Sequence, residues 1–132
     1  MVHINNEILL QLINEAKRND PNEICGIFAG KNRTITKALS LKNISDKPEL
    51  CYFIDPKEQL MAIKDIRAEG LELLGIYHSH PKSGAYPSKK DVELAFYPDA
   101  VYLIISLIQK DNPVVRAFRI VEGRISEEEV AS

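Results

Sequence analysis

Apolar residues recur along this chain with two different periods, and the switches between them give an order of elements. From Ile4 to Arg18, Ile8, Leu12 and Ala16 recur at i+4 while Leu9 and Ile13 widen the stripe, so an amphipathic helix is predicted there. Asn5 is placed to cap it, with Ile4 and Leu9 as a hydrophobic staple, and Asp20-Pro21 stops it. "EICGIFAG" predicts a strand closed by Gly30, and "RTITKALSLKNI" a second strand after a Gly-Lys-Asn turn signal. "ISDKPEL" predicts a loop and "CYFI" a short strand.

Asp55-Pro56 then opens a helix with a capping residue and a proline at its first position. Glu58 completes a capping-box-like pattern, Gly70 is placed to end the helix, and Leu60, Ile63 and Ile66 form the face expected to pack on a sheet. "LELLGIYHSH" predicts a strand, Ser88 starts a third helix, and "AVYLIISLI" and "VVRAFRIV" predict strands separated by Asp-Asn-Pro. A turn at Glu122-Gly123-Arg124 leads into "ISEEEVAS", read as an acidic, frayed end. The order helix, strands, helix, strand, helix, strands predicts a layered α/β domain. Its strands need not all be parallel, because the turn signals near Gly30 and Asn112 suit hairpins.

Composition narrows the function classes. A chain of 132 residues with 45% hydrophobic and 27% charged residues fits one domain, 1–132, with a single core. Seventeen basic and nineteen acidic side chains leave a formal charge of -2, so bulk charge favours neither nucleic acid nor an anionic membrane. The longest apolar run, Ala100 to Ile108, is strand length rather than membrane-span length, and the N-terminus lacks the basic-then-apolar order of a signal peptide. Cys25 and Cys51 are too few and too far apart in sequence for a disulfide framework or a CxxC site. A cytoplasmic protein with reduced thiols is expected.

The candidate chemistry lies in "GIYHSHPKSGAYPSKKDVELA". Residues two apart in a strand point to the same face with Cα atoms roughly 6.5 Å apart, so His78 and His80 can converge on one ion while Ser79 faces the other way. Pro81 ends the ladder and places the pair at a strand end. An HxH pair alone is weak evidence, and Ser88-Lys-Lys-Asp91 alone is a capping box. Together, a capped helix shortly after a strand-end HxH can swing its first-turn carboxylate over the imidazoles. Two histidines, Asp91 and a water would leave the open position of a catalytic zinc. Ligation and capping compete for Asp91, and ligation is expected to prevail. A hydrolase also needs a base, and spacing alone leaves Glu23, Glu69, Glu72 and Glu93 open. Glu23 is distinctive for standing at the entrance of a hydrophobic strand.

Glu23, His78-x-His80-Pro81 and Ser88-x-x-Asp91, with Lys82 to Pro87 as the six intervening residues, resemble the JAMM (MPN+) metalloprotease signature. The likeness covers nearly the whole chain and is nearest to small prokaryotic peptidases that act on ubiquitin-like sulfur carriers, including sulfur-carrier-cysteine hydrolases of cysteine synthesis. The resemblance implies a single-domain curved mixed β-sheet flanked by helices, the cytidine-deaminase-like JAMM/MPN fold. It implies one zinc ion bound by His78, His80 and Asp91, Glu23 as general acid/base and Ser88 as an oxyanion donor.

The implied substrate is the amide or isopeptide bond after a ubiquitin-like C-terminal Gly-Gly, whose tail could pair with a strand edge. Only short loops join residues 42 to 51 and follow Asp91, which favours a compact carrier over linkage-specific ubiquitin cleavage. No nucleic acid or membrane partner is expected, and the chain is expected as a monomer or homodimer. Two other classes share parts of the pattern: a non-catalytic zinc-containing MPN module that binds ubiquitin-like tails, and a DNA-associated protein of the RadC type. A nucleoside deaminase is disfavoured by the absent H-x-E…P-C-x-x-C pattern. His3 matches nothing in the motif and is expected at the surface. Cys25 is expected to pack behind Glu23.

Overall fold

The computed structural model describes residues 1–132. Eight strands and three helices follow in the order β1 (Val2–Ile4), α1 (Asn6–Asn19), β2 (Cys25–Lys31), β3 (Thr34–Leu41), α2 (Pro56–Ala68), β4 (Glu72–His80), α3 (Lys89–Glu93), β5 (Val101–Ser106), β6 (Val114–Val121), β7 (Arg124–Glu128) and β8 (Val130–Ala131). All strands join one sheet in the order β7-β6-β5-β4-β2-β3-β1-β8. It is mixed: β2 is antiparallel to β3 and β4, β4 is parallel to β5, and β1 is parallel to β3 and β8. The expected hairpins, β2-β3 and β5-β6, are both antiparallel.

The period-2 alternation of β2 divides the core. Cys25, Ile27 and Ala29 face one side with Ile76 and Ile104, under Ile63 and Ile66 of α2. Ile24 and Phe28 face the other with Tyr77 and Ile105, under Ile8, Leu12 and Ala16 of α1. Strand β5 is buried along its whole length, as its unbroken apolar run requires when helices cover both faces of a sheet. Gly26 is obligatory beside Tyr77: a Cβ there would collide with the Tyr77 hydroxyl and the Leu39 carbonyl.

Several expectations shift. Residues 2–4 form β1, so α1 begins at Asn6, although Asn5 caps it as expected by accepting from the Ile8 N–H. The β2-β3 turn falls on Asn32 and Arg33, both at positive φ, one residue later than the Gly-Lys-Asn signal suggested. The packing face of α2 is Ala62, Ile63 and Ile66, while Leu60 is 53% exposed. Asp55 caps α2 through the Lys57 N–H, but Glu58 turns to the Lys42 N–H instead of completing a box.

"CYFI" is not a strand. Its strand-like pairing is limited to the isolated bridge between Asn43 and Ile54, because the Asn43 side chain occupies main-chain groups that a ladder would use. Nor is the C-terminus frayed. Strand β7 lies at one edge of the sheet and β8 at the other, with only Glu129 between them, so a single segment curls the sheet nearly closed. Arg33 pairs with Glu128 and Arg116 with Glu127 at 2.7 Å, which tethers this acidic stretch to both neighbours. Both cysteines are free: the Cys25 thiol lies 3.6 Å from the Leu41 carbonyl, and Cys51 is half-buried. His3 is exposed, as expected.

Candidate metal centre

Strand β4 ends at His80, and the register Cys25↔His78 continues past the end of β2, since the Ser79 N–H donates to the Ile24 carbonyl at 3.1 Å. Directly paired residues share a face, so Glu23, Cys25, His78 and His80 lie on the α2 side of the sheet. Ser79 points the other way, and its Oγ accepts the Ile24 N–H at 2.9 Å. That bond fixes the main chain next to Glu23. Glu23 itself is only 5% exposed.

After His80 the chain turns through residues 81–87, and each contact of this turn fixes the approach of α3. The His80 Nδ1–H donates to the Gly84 carbonyl at 2.8 Å, and the buried Ser106 hydroxyl donates to the Ser83 carbonyl at 2.5 Å. Tyr86 packs edge-on to Phe118 at 5.4 Å. Ser88 is the N-cap of α3 and forms the full capping box: its Oγ accepts the Asp91 N–H at 3.1 Å, and Asp91 Oδ2 accepts the Ser88 N–H at 2.9 Å.

The same Oδ2 lies 3.1 Å from His78 Nε2 and 3.0 Å from His80 Nε2, and the two Nε2 atoms are 3.1 Å apart. Capping and convergence are therefore not exclusive, because a carboxylate oxygen has more than one lone pair. The triangle fits a metal ion: nitrogen and oxygen ligands at about 2.0–2.1 Å in a tetrahedron stand about 3.3 Å from one another. The donor to Gly84 fixes the tautomer of His80, so its Nε2 presents a lone pair to the centre. Three lone-pair atoms crowded together at this distance repel unless a cation or proton sits among them. His78, His80 and Asp91, all buried, thus form a group that can hold a metal ion.

Electrostatics follow from burial and these bonds. Burial alone would raise the Asp91 carboxyl, but hydrogen bonds with His78, His80 and the Ser88 N–H outweigh it and hold it well below the usual carboxylate range. Burial pushes His78 down, so it stays neutral near pH 7. Burial works in the same sense on His80, but Asp91 and the Gly84 carbonyl overcome it and raise its pKa. Glu23 is raised to about 8, chiefly by burial, with the His80 charge lowering and the Asp91 charge raising it. Its Oε1 is buried without a hydrogen-bond partner.

The other candidate bases are elsewhere. Glu69 pairs with Lys37 at 3.0 Å, Glu93 lies 3.9 Å from Lys90, and Glu72 is exposed at the far end of β4. Of the four, only Glu23 is buried. Cys25 does not join the ligand group; its thiol faces the Leu41 carbonyl, and burial pushes it up to about 12. Sequence patterns gave no sign of two neighbours: Tyr52, buried and stacked on His78 with ring centroids 4.4 Å apart, and Asn43, which bonds the Glu23 carbonyl at 3.0 Å.

Residues 5–121 match the family described as prokaryotic homologs of the JAB domain. The chain is 33% identical over 126 residues to the CysO-cysteine peptidase of Mycobacterium tuberculosis, covering 94% of this chain and 86% of that protein. It is 40% identical over 93 residues to the desampylase of Haloferax volcanii, covering 69% and 67%. A solution structure of a Desulfitobacterium hafniense protein superposes with a TM-score of 0.88 at 36% identity, over 98% of this chain and 91% of that one. The family match, the curved mixed sheet with its helices and the placement of the HxH strand before the capped helix agree, and the chain belongs to the prokaryotic JAB-domain family.

Proposed function

We propose that this protein is a zinc metallopeptidase, acting as one domain in the cytoplasm, that hydrolyses the amide or isopeptide bond after the C-terminal Gly-Gly of a ubiquitin-like or sulfur-carrier protein. The observation that carries the proposal is the buried triangle of His78 Nε2, His80 Nε2 and Asp91 Oδ2 beside a buried carboxyl with an unpartnered oxygen. The names of the relatives from Mycobacterium tuberculosis and Haloferax volcanii support the substrate class.

His78, His80 and Asp91 would hold the zinc, which supplies a polarised carbonyl and a water of lowered pKa. Glu23 takes the proton of the attacking water and returns it to the leaving amine. Its surroundings suit that exchange: burial and the Asp91 charge favour the protonated carboxyl, the His80 charge favours the carboxylate, and with the pKa raised to about 8 the two forms come close in energy near neutral pH. Ser88 caps α3 with an oxygen lone pair, which leaves its own O–H free to donate to the developing oxyanion. The two roles of Ser88 therefore use different parts of one hydroxyl. The open cleft lined by Ile44, Ser45, Lys47, Tyr52, Phe53 and Lys90 can take an extended tail beside the His78 ring.

The test is mass analysis of carrier proteins extended by cysteine or linked through lysine, incubated with the zinc-loaded protein with and without chelator. Cleavage after Gly-Gly that stops with chelator is expected. Glu23→Gln should keep zinc and lose hydrolysis; full activity in that variant removes Glu23 from its role. A zinc-loaded protein that binds the tails and never cleaves them is an interaction module instead.

A further inference from the structure

Asn43 uses every hydrogen-bonding position of its amide on main-chain partners. Its Nδ2 donates to the Glu23 carbonyl at 3.0 Å and the Cys51 carbonyl at 3.1 Å, while its Oδ1 accepts the N–H groups of Ser45 and Phe53, each at 3.0 Å. A primary amide offers two protons and two lone pairs, so this side chain is saturated. The partners belong to two places: Glu23, ahead of β2, and a strap of residues 43–54 between β3 and α2. The strap grips the other side of the Glu23 residue too, because the Glu23 N–H donates to the Pro48 carbonyl at 2.7 Å. Both main-chain polar groups of Glu23 are thus satisfied by the strap rather than by the sheet.

This has a consequence for the side chain. Glu23 precedes β2 and lacks ladder bonds of its own, so its φ and ψ are set by Pro48, by Asn43 and by the Ser79 bond to the next residue. Its carboxyl makes no hydrogen bond through Oε1 that would steer it independently. Main-chain orientation therefore decides where the carboxyl points, and a proton-transfer group misplaced by about 1 Å can cost on the order of 10²-fold in rate. We propose that Asn43 is a positioning residue for the reaction: it clasps the Glu23 carbonyl to the strap and so aims the Glu23 carboxyl at the His78–His80–Asp91 centre. The inference rests on the hydrolase function proposed above, in which Glu23 moves the proton.

Two variants separate the clasp from the folding of the strap. Asn43→Ala removes all four bonds. Asn43→Asp keeps the acceptor oxygen for Ser45 and Phe53 but replaces the donor to Glu23 and Cys51 by an oxygen. With zinc content and cooperative unfolding verified, both variants should lose about 10²-fold in kcat with KM changed less than about threefold, and the loss should persist on the plateau of the pH profile. In a Glu23→Gln background the same substitutions should cost nothing further. A wild-type kcat in Asn43→Asp, or an equal loss in the Glu23→Gln background, overturns the proposal. Amide hydrogen exchange supplies a measure independent of turnover: in both variants the Glu23 N–H should exchange at least tenfold faster while Ile24, bonded to Ser79, stays protected. Unchanged Glu23 exchange overturns the clasp. If wild-type protein cleaves no conjugate while the exchange result holds, the proposed function fails and the clasp stands.

Discussion

The Glu23 carboxyl gives a sharp test of how burial shapes this centre. In an unfolded chain a glutamate ionises near 4.5, whereas in the metal-free native protein Glu23 is held up to about 8. Between those values the unfolded chain has lost the proton and the native state keeps it. Native stability therefore falls as pH rises, and the contribution of the protonated carboxyl, complete below pH 4.5, is gone above pH 8. At about 1.4 kcal/mol per unit, a difference of about 3.5 units amounts to about 5 kcal/mol, a large share of a domain's total stability. Glu23→Gln is nearly isosteric and does not titrate, so it removes this slope. Urea unfolding followed by circular dichroism, with chelator throughout and at unit steps from pH 5 to 8, should show the variant gaining about 3.5 kcal/mol on wild type across the range, the remainder of the difference falling below pH 5 and above pH 8. Asp91 contributes equally to both proteins in this window, because it is ionised throughout. Saturating zinc should flatten the wild-type slope, since a nearby cation stabilises the carboxylate. Parallel pH dependences of wild type and variant without metal would refute the argument.

Three further outcomes are expected. Zinc at a free concentration a hundred times its Kd should stabilise the protein by about 2.7 kcal/mol, raising Tm by about 10 °C for a chain this long, and His78→Ala, His80→Ala and Asp91→Ala should each abolish that increment in a thermal scan. Iodoacetamide at pH 8 should add one label to the folded protein, at the half-buried Cys51, and two after denaturation, because the buried Cys25 thiol is pushed up to about 12; a folded Cys51→Ser protein that takes a label contradicts this. Ser79→Ala strands the Ile24 N–H in a buried position and should cost about 1–3 kcal/mol by chemical denaturation, although Ser79 faces away from His78 and His80.

The legible parts of the fold were those governed by near neighbours. Asn5, Asp55 and Ser88 cap their helices as the local pattern indicates, because a cap is settled within one turn. The HxH pair lands on one face at a strand end because a strand has a period of two. The misreadings share a different cause. "CYFI" has strand composition, but the side chain of Asn43, eight residues before Cys51 and outside the reach of a one-turn pattern, takes its main-chain groups. "ISEEEVAS" has the composition of a loose tail, yet Arg33 and Arg116 neutralise two of its acids and its main chain completes the sheet. Leu60 fits the helical stripe, but the sheet meets α2 along Ala62, Ile63 and Ile66 instead.

The candidate site divides the same way. By itself the sequence determined that two imidazoles and a helix-capping carboxylate stand a short loop apart, since strand period, proline and capping chemistry act over a few residues. It left four glutamates open as the base until family resemblance was added. Only the tertiary structure separates them, through a β2-β4 register that brings Glu23 opposite His80 and leaves Glu69, Glu72 and Glu93 at the surface. The same holds for the environment of that carboxyl, because burial, the Asn43 clasp and the pull of Asp91 and His80 come from segments up to 68 residues away along the chain, and no local pattern encodes contacts at such separation.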